Sequence, residues 1–177
     1  MNVMDTAKER AKHIVETVSE KVTEKVGEKV TTESRKQAIT IARPRHEVIA
    51  LFQDTERLSV VFGDAAEVQQ AGPERLRWVF AIGGNDRFIW DCVVSMEDDA
   101  RLRFADLDPG SGAEIVLNFR DAPQERGTEV IAQVTSPGPG ALSGALAFKA
   151  LYRARALLLT GEVPTIEYNP SARNSDR

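Results

Sequence analysis

Between Ala38 and Thr160 apolar and polar residues follow each other in the two rhythms that strands and helices require. Ala38-Ile39-Thr40-Ile41-Ala42 has a period of two and sets Ile39 and Ile41 on one face. Pro44 suits the first position of a helix, whose apolar side is Val48, Leu51 and Phe52. A shorter helical piece runs from Thr55 to Val61 and ends at Gly63-Asp64. From Arg75 to Ile82 the chain alternates, with Trp78, Phe80 and Ile82 on one side. Gly83-Gly84-Asn85-Asp86 predicts a hairpin, because glycine and asparagine tolerate positive φ. Phe88, Trp90, Cys92, Val94 and Met96 then share a face, and Asp98-Asp99 turns the chain into Arg101–Leu107, where Leu102 and Phe104 point one way. Beyond the loop at Asp108–Gly112, Ile115, Leu117 and Phe119 alternate with Glu114, Asn118 and Arg120. Gly127 opens a last strand with Val130, Ala132 and Val134 inward. Antiparallel meanders with one wet face produce this pattern.

After a break at Pro137–Gly140, one long helix is predicted over Ala141–Thr160. On a helical wheel Gly144, Ala147, Phe148, Leu151, Ala154 and Leu158 gather on one side, with Lys149 and Arg153 opposite. Arg155 falls about 40° from the centre of the apolar side at 100° per residue. Gly161 is placed to end the helix, and Pro164 prevents its continuation. The order of elements predicts an α+β fold: a curved antiparallel sheet of about six to seven strands around a long C-terminal helix.

The first 35 residues follow a different logic. Ile14, Val18, Val22, Val26 and Val30 recur every fourth position, with Ser-Glu-Lys, Thr-Glu-Lys and Gly-Glu-Lys between the valines. This is a narrow helical stripe that drifts about 40° per repeat, because four residues overshoot a 3.6-residue turn. Glu16, Glu20, Glu24 and Glu28 form a like-charged column, only partly offset by Lys21–Glu24 and Lys25–Glu28. A separate N-terminal amphipathic helix is therefore expected over residues 1–35, either as a solvated tether or as a segment ordered when its stripe over 14–30 is covered. Valines are weak membrane anchors and this segment is nearly neutral, so self-association or a protein partner fits the second reading better than a lipid surface.

Composition narrows the setting. No apolar run reaches the roughly 18 residues of a membrane span, and Met1–Asp5 does not open a secretory signal. Cys92 is the single cysteine, so no intramolecular disulfide forms and a cytoplasmic, reducing compartment is expected. Residues 1–36 carry eight Lys/Arg against seven Asp/Glu, and residues 37–177 carry fifteen against twenty. Neither part has the dense basic face of a nucleic-acid binder, so nucleic acid is not expected as a partner.

Several pieces, in this order and spacing, resemble the polyketide cyclase/dehydrase type of the START-like (SRPBCC) helix-grip superfamily. They are Ile39-Thr40-Ile41-Ala42-Arg43-Pro44 with Glu47-Val48, Trp78-Val79, Trp90-Asp91, Gly127-Thr128-Glu129-Val130, and Leu158 to Thr165. The resemblance covers residues 36–166 and implies a sheet gripping the last helix, with a cavity between them for a hydrophobic small molecule. It leaves 1–35 as an extension and 167–177 as a disordered tail. Leu159 stands where that family commonly has an acidic residue, while Arg155 keeps its basic position.

The chemistry on offer is sparse. His13 and His46 are no natural partners for Cys92, and no ligand spacing for a metal exists, so neither a catalytic residue nor a metal or other cofactor is expected. The glycines at Gly83-Gly84 form a turn, and those before the last helix lack the lysine-serine ending of a phosphate loop. Trp78, Phe80, Trp90, Phe104, Phe119, Phe148 and Leu151 are the candidate walls of a ligand cavity, with ordinary core packing as their plainer role. Arg155 either holds a polar end of the ligand or rests its stem on apolar surface with its head in water. Asp91, opposite in parity to Trp90, reads as half of a structural ion pair. The expected function is binding of a lipid-like or aromatic molecule without catalysis. The alternatives are a cyclase or dehydratase that uses Arg155, and a scaffold or stress-related protein acting through its N-terminal helix.

Overall fold

The computed structural model describes residues 34–136 and 142–164. The expected N-terminal helix and the tail from 167 lie outside them. Seven strands and three helices follow in the order β1 (Ser34–Ile41), α1 (Arg45–Gln53), α2 (Thr55–Phe62), β2 (Ala66–Gly72), β3 (Arg75–Gly83), β4 (Asp86–Glu97), β5 (Arg101–Asp106), β6 (Glu114–Asp121), β7 (Thr128–Thr135) and α3 (Gly144–Thr160). The strands form one curved antiparallel sheet in the order β1-β7-β6-β5-β4-β3-β2, packed against α3. Strands β2 to β7 are a meander. β1 and β2, neighbours in sequence, lie at opposite edges, and α1 with α2 carries the chain between them.

The core is the inner face that the alternation marked out. Leu76, Trp78, Phe80, Trp90, Cys92, Leu102, Phe104, Ile115, Leu117, Phe119, Val130, Ala132 and Val134 are all buried. Pairing across the sheet keeps these sets in register, with Trp78 opposite Trp90 and Leu117 opposite Ala132. Ile82 departs from expectation: it is 43% exposed. It has the parity of Trp78 and Phe80, but it lies at the hairpin tip, beyond the reach of the helices. β2 was not visible in the pattern, since only Ala66 and Val68 of its seven residues are buried. Pro44 sits one position earlier than expected, as the extended residue just before α1.

Two local features shape the corners. At Gly127, φ is +103°, and a Cβ there would lie 2.2 Å from the carbonyl oxygen of Ile41 and 2.7 Å from Arg43 N. The chain leaving β1 therefore passes hard against Gly127 beside the start of β7, and only glycine leaves room for it. Next to it the buried Thr128 donates its hydroxyl to the Arg43 carbonyl at 2.9 Å, locking the same close approach. Glu129 then turns outward to pair with Arg120.

The second feature ties α3 to α2. Arg153, expected on the solvent side of α3, donates Nε to the Val61 carbonyl at 2.6 Å and an amino group to the Val60 carbonyl at 2.9 Å. These are last-turn carbonyls of α2, which have no partners inside their own helix. Gly63 makes the approach possible, because a Cβ there would meet the Arg153 guanidinium at 2.8 Å. In the last turn of α3, Arg43 donates to the Leu158 carbonyl at 3.0 Å.

Gly127→Ala is expected to cost about 3 kcal/mol, a fall of roughly 10 °C in Tm by calorimetry, because the strained φ and the clash act together. A shift under about 2 °C would contradict the close approach. Arg153→Ala is expected to cost about 2 kcal/mol through its lost carbonyl contacts. The neighbouring Arg155→Ala should stay within about 0.5 kcal/mol. Equal effects of the two in urea titrations would overturn the assignment.

Candidate functional site

Between the inner face of the sheet and α3 lies a cavity of about 30 Å³. The sheet contributes Trp78, Phe104, Ile115, Leu117, Ala132 and Val134. Phe52 of α1 with Leu58 and Phe62 of α2 closes one side, while Leu142, Ala147, Ala150 and Leu151 form the roof. A space of this size is enough for one water, whereas small-molecule pockets typically span about 300–1,000 Å³. Among the described residues its walls carry no ionisable side chain. What fills the rest of the interior is aromatic: Trp78 meets Phe62 and Phe104 edge-on at 5.1 and 5.7 Å and stacks on Phe80 at 5.6 Å.

The proposed wall residues separate into three groups. Trp78, Phe104 and Leu151 line the cavity. Phe80, Trp90 and Phe119 are buried in the same core but lie behind the wall, with Trp90 6.2 Å from Trp78 and Phe119 5.9 Å from Phe52. Phe148 and Arg155 do not reach it: Phe148 is 50% exposed and Arg155 faces solvent.

The correction has a simple cause. The buried side of α3 is Gly144, Ala147, Ala150, Leu151 and Ala154, a face rotated about 30° from the one the wheel predicts. The helix turns its smallest side chains inward, which lets its first turn rest beside β1, where a Cβ on Gly144 would come 3.3 Å from Arg35 Cδ. The wall residues of α1 and α2 were missed as a group, although Leu58, Val61 and Phe62 have the i, i+3, i+4 spacing of a buried face.

Polar groups near the cavity are few and mostly committed. The Trp90 indole donates to Asp106 at 2.9 Å. Asp91 faces outward and takes both forks of Arg77, at 2.7 and 2.9 Å, which holds its carboxyl below the usual carboxylate range. Burial pushes the Cys92 thiol up to about 12, so it is a neutral core side chain rather than a nucleophile at ordinary pH. Among the described residues no group of three or more His, Cys, Asp or Glu side chains could hold a metal. No helix there is long and apolar enough to cross a membrane. A broad groove also opens on the surface between Ala42–Pro44 and Asp121–Gly127, and the ion pair of Arg45 with Asp121, at 2.7 Å, spans the same corner.

No family model matches the chain, and no curated protein matches it in sequence. Solved structures do match it. It is similar to the protein DR_A0006 of Deinococcus radiodurans, with a TM-score of 0.60 and 22% identity over 73% of this chain and 100% of that one. It is also similar to Aha1 of Colwellia psychrerythraea, solved as a dimer, with a TM-score of 0.51 and 15% identity over 73% and 98% of the two chains. The di-domain ARO/CYC StfQ of the steffimycin biosynthetic pathway matches with a TM-score of 0.54 and 17% identity, over 70% of this chain and 44% of its own length. At such identities the likeness is one of architecture, and the chain has a helix-grip fold.

Proposed function

We propose that this protein binds a hydrophobic or aromatic small molecule between the sheet and α3, without transforming it. The observation that carries this reading is the continuous apolar lining of the space between sheet and helix, in which no acid, base or nucleophile is placed. The cyclase reading relied on Arg155, and that side chain lies on the solvent face of α3. StfQ is named as a di-domain ARO/CYC, but its likeness to this chain extends to the fold alone.

A guest of ordinary size cannot enter a space of 30 Å³, so binding requires the grip to open. α3 is the element that opens at least cost. Four of the five residues on its buried side are glycine or alanine, and small side chains give up little apolar contact when they separate. The strands are held on both sides by ladders of backbone hydrogen bonds, save at the edges. A guest that buries about 450 Å² of apolar surface gains about 11 kcal/mol at 25 cal/mol per Å². Association and opening subtract from that, which places affinities in the micromolar to millimolar range.

A second reading, an interaction protein with a vestigial cavity, draws on the closed interior and on the exposed Phe148, Tyr152 and Leu159 along the outer side of α3. One experiment separates the two. Native mass spectrometry of freshly purified protein should show a one-to-one adduct of a few hundred daltons, and lipophilic aromatic compounds near 1 mM should raise Tm by several degrees. A bare chain with an unchanged Tm across fatty acids, sterols and polycyclic aromatics would sink the binding reading and favour the second.

A further inference from the structure

The exposed side of α3 has a pattern of its own. It includes Ala145, Phe148, Tyr152, Arg155 and Leu159, spaced three, four, three and four apart. This is the spacing of the seam that one helix offers to another. At 100° per residue, Ala145, Phe148 and Leu159 fall within about 40° of Tyr152, while Lys149 and Arg155 lie about 60° to either side. Phe148 and Tyr152 are each half exposed. A contiguous apolar ridge rimmed by polar residues marks an interaction site more often than scattered surface residues do.

The charge on this side has one sign. α3 holds Lys149, Arg153 and Arg155 and no aspartate or glutamate, in a chain whose net charge is −4. Arg153 is spent on the α2 carbonyls. Among the described residues neither Lys149 nor Arg155 pairs with a carboxylate, whereas Arg77, Arg103 and Arg120 on the sheet each do.

We propose that the outer side of α3 docks an acidic amphipathic helix of a protein partner. The apolar stripe of that helix covers Phe148, Tyr152 and Leu159, and its carboxylates meet Lys149 and Arg155. The proposal goes beyond both readings above, since a docked helix and an internal guest occupy opposite sides of α3. Cations beside aromatic rings also suit an anionic lipid surface, but a bilayer faces far more of this acidic chain than the ridge. A helix is about 10–12 Å wide, close to the Debye length of about 8 Å at physiological salt. It therefore senses the two cations and little of the acidic remainder. Half of two aromatic side chains of about 200 Å² each, with Leu159, amounts to about 250 Å². That is well short of the roughly 800 Å² per partner of a standard interface, so the contact is transient.

Two labelled three-heptad peptides, titrated into the full chain, test the proposal. Both carry leucine at the seam, and the flanking positions are glutamate in one and lysine in the other. Like charges on its flanks keep each peptide from pairing with itself. The glutamate peptide is expected to bind about tenfold more tightly than the lysine peptide. Lys149→Glu with Arg155→Glu is expected to reverse that order, and Phe148→Ser with Tyr152→Ser to weaken both peptides about tenfold. Both double variants change exposed side chains, and an unchanged Tm verifies that they fold. Equal binding of the two peptides, or a preference that survives the charge reversal, would overturn the proposal. So would failure of the glutamate peptide to bind, and binding to vesicles of phosphatidylcholine and phosphatidylserine in equal parts would then point to a lipid surface instead. Guest binding inside the grip is decided separately, by the mass adducts and thermal shifts.

Discussion

The structure depends on one pairing of shapes: a sheet lined with aromatic side chains against a helix lined with glycine and alanine. Trp78, Phe104 and the helical Phe52 and Phe62 share one cavity with Ala147 and Ala150, so bulk on one side meets its absence on the other. Large facing large would hold the helix off the sheet, and small facing small would leave a void. This pairing explains both the tight interior and the narrow residual cavity. It also explains why α3 presents Phe148 and Tyr152 to the outside, where neither can obstruct the close approach.

Directional contacts then fix what packing leaves free. Gly127 and Thr128 pin the chain leaving β1 against the start of β7, which sets where it leaves the sheet edge for α1. Arg153 and Arg43 each hand a guanidinium to main-chain carbonyls, one joining α3 to α2 and the other joining α3 to the end of β1. The helix is thus held by a few polar ties at discrete points and by shallow apolar contact between them. A sheet with ladder bonds along every internal strand is the more rigid partner.

Much of this architecture can be read from the chain, and the exceptions have physical causes. β3 to β7 each keep one apolar and one wet face, so their period is visible residue by residue. β2 is an edge strand whose outer half is Gln69, Gln70 and Ala71, and two buried residues are too few to show a period. The orientation of α3 was misjudged because a wheel weights large apolar residues as inward, whereas the aromatic sheet favours the small ones. The two arginines also depart from the wheel: Arg155, near the expected apolar side, faces water, and Arg153, expected opposite, meets the end of α2. No local pattern announces a long-range contact of 92 residues in sequence.

The proposed binding requires α3 to separate from the sheet without the sheet unfolding, and native-state amide hydrogen exchange measures that separation directly. The account predicts that amides of Ala150–Leu157 open at a lower free energy than those of β3 and β4, and that saturating 9-fluorenone slows α3 selectively. Exchange of helix and strands through one common global opening, unaffected by the guest, would contradict it.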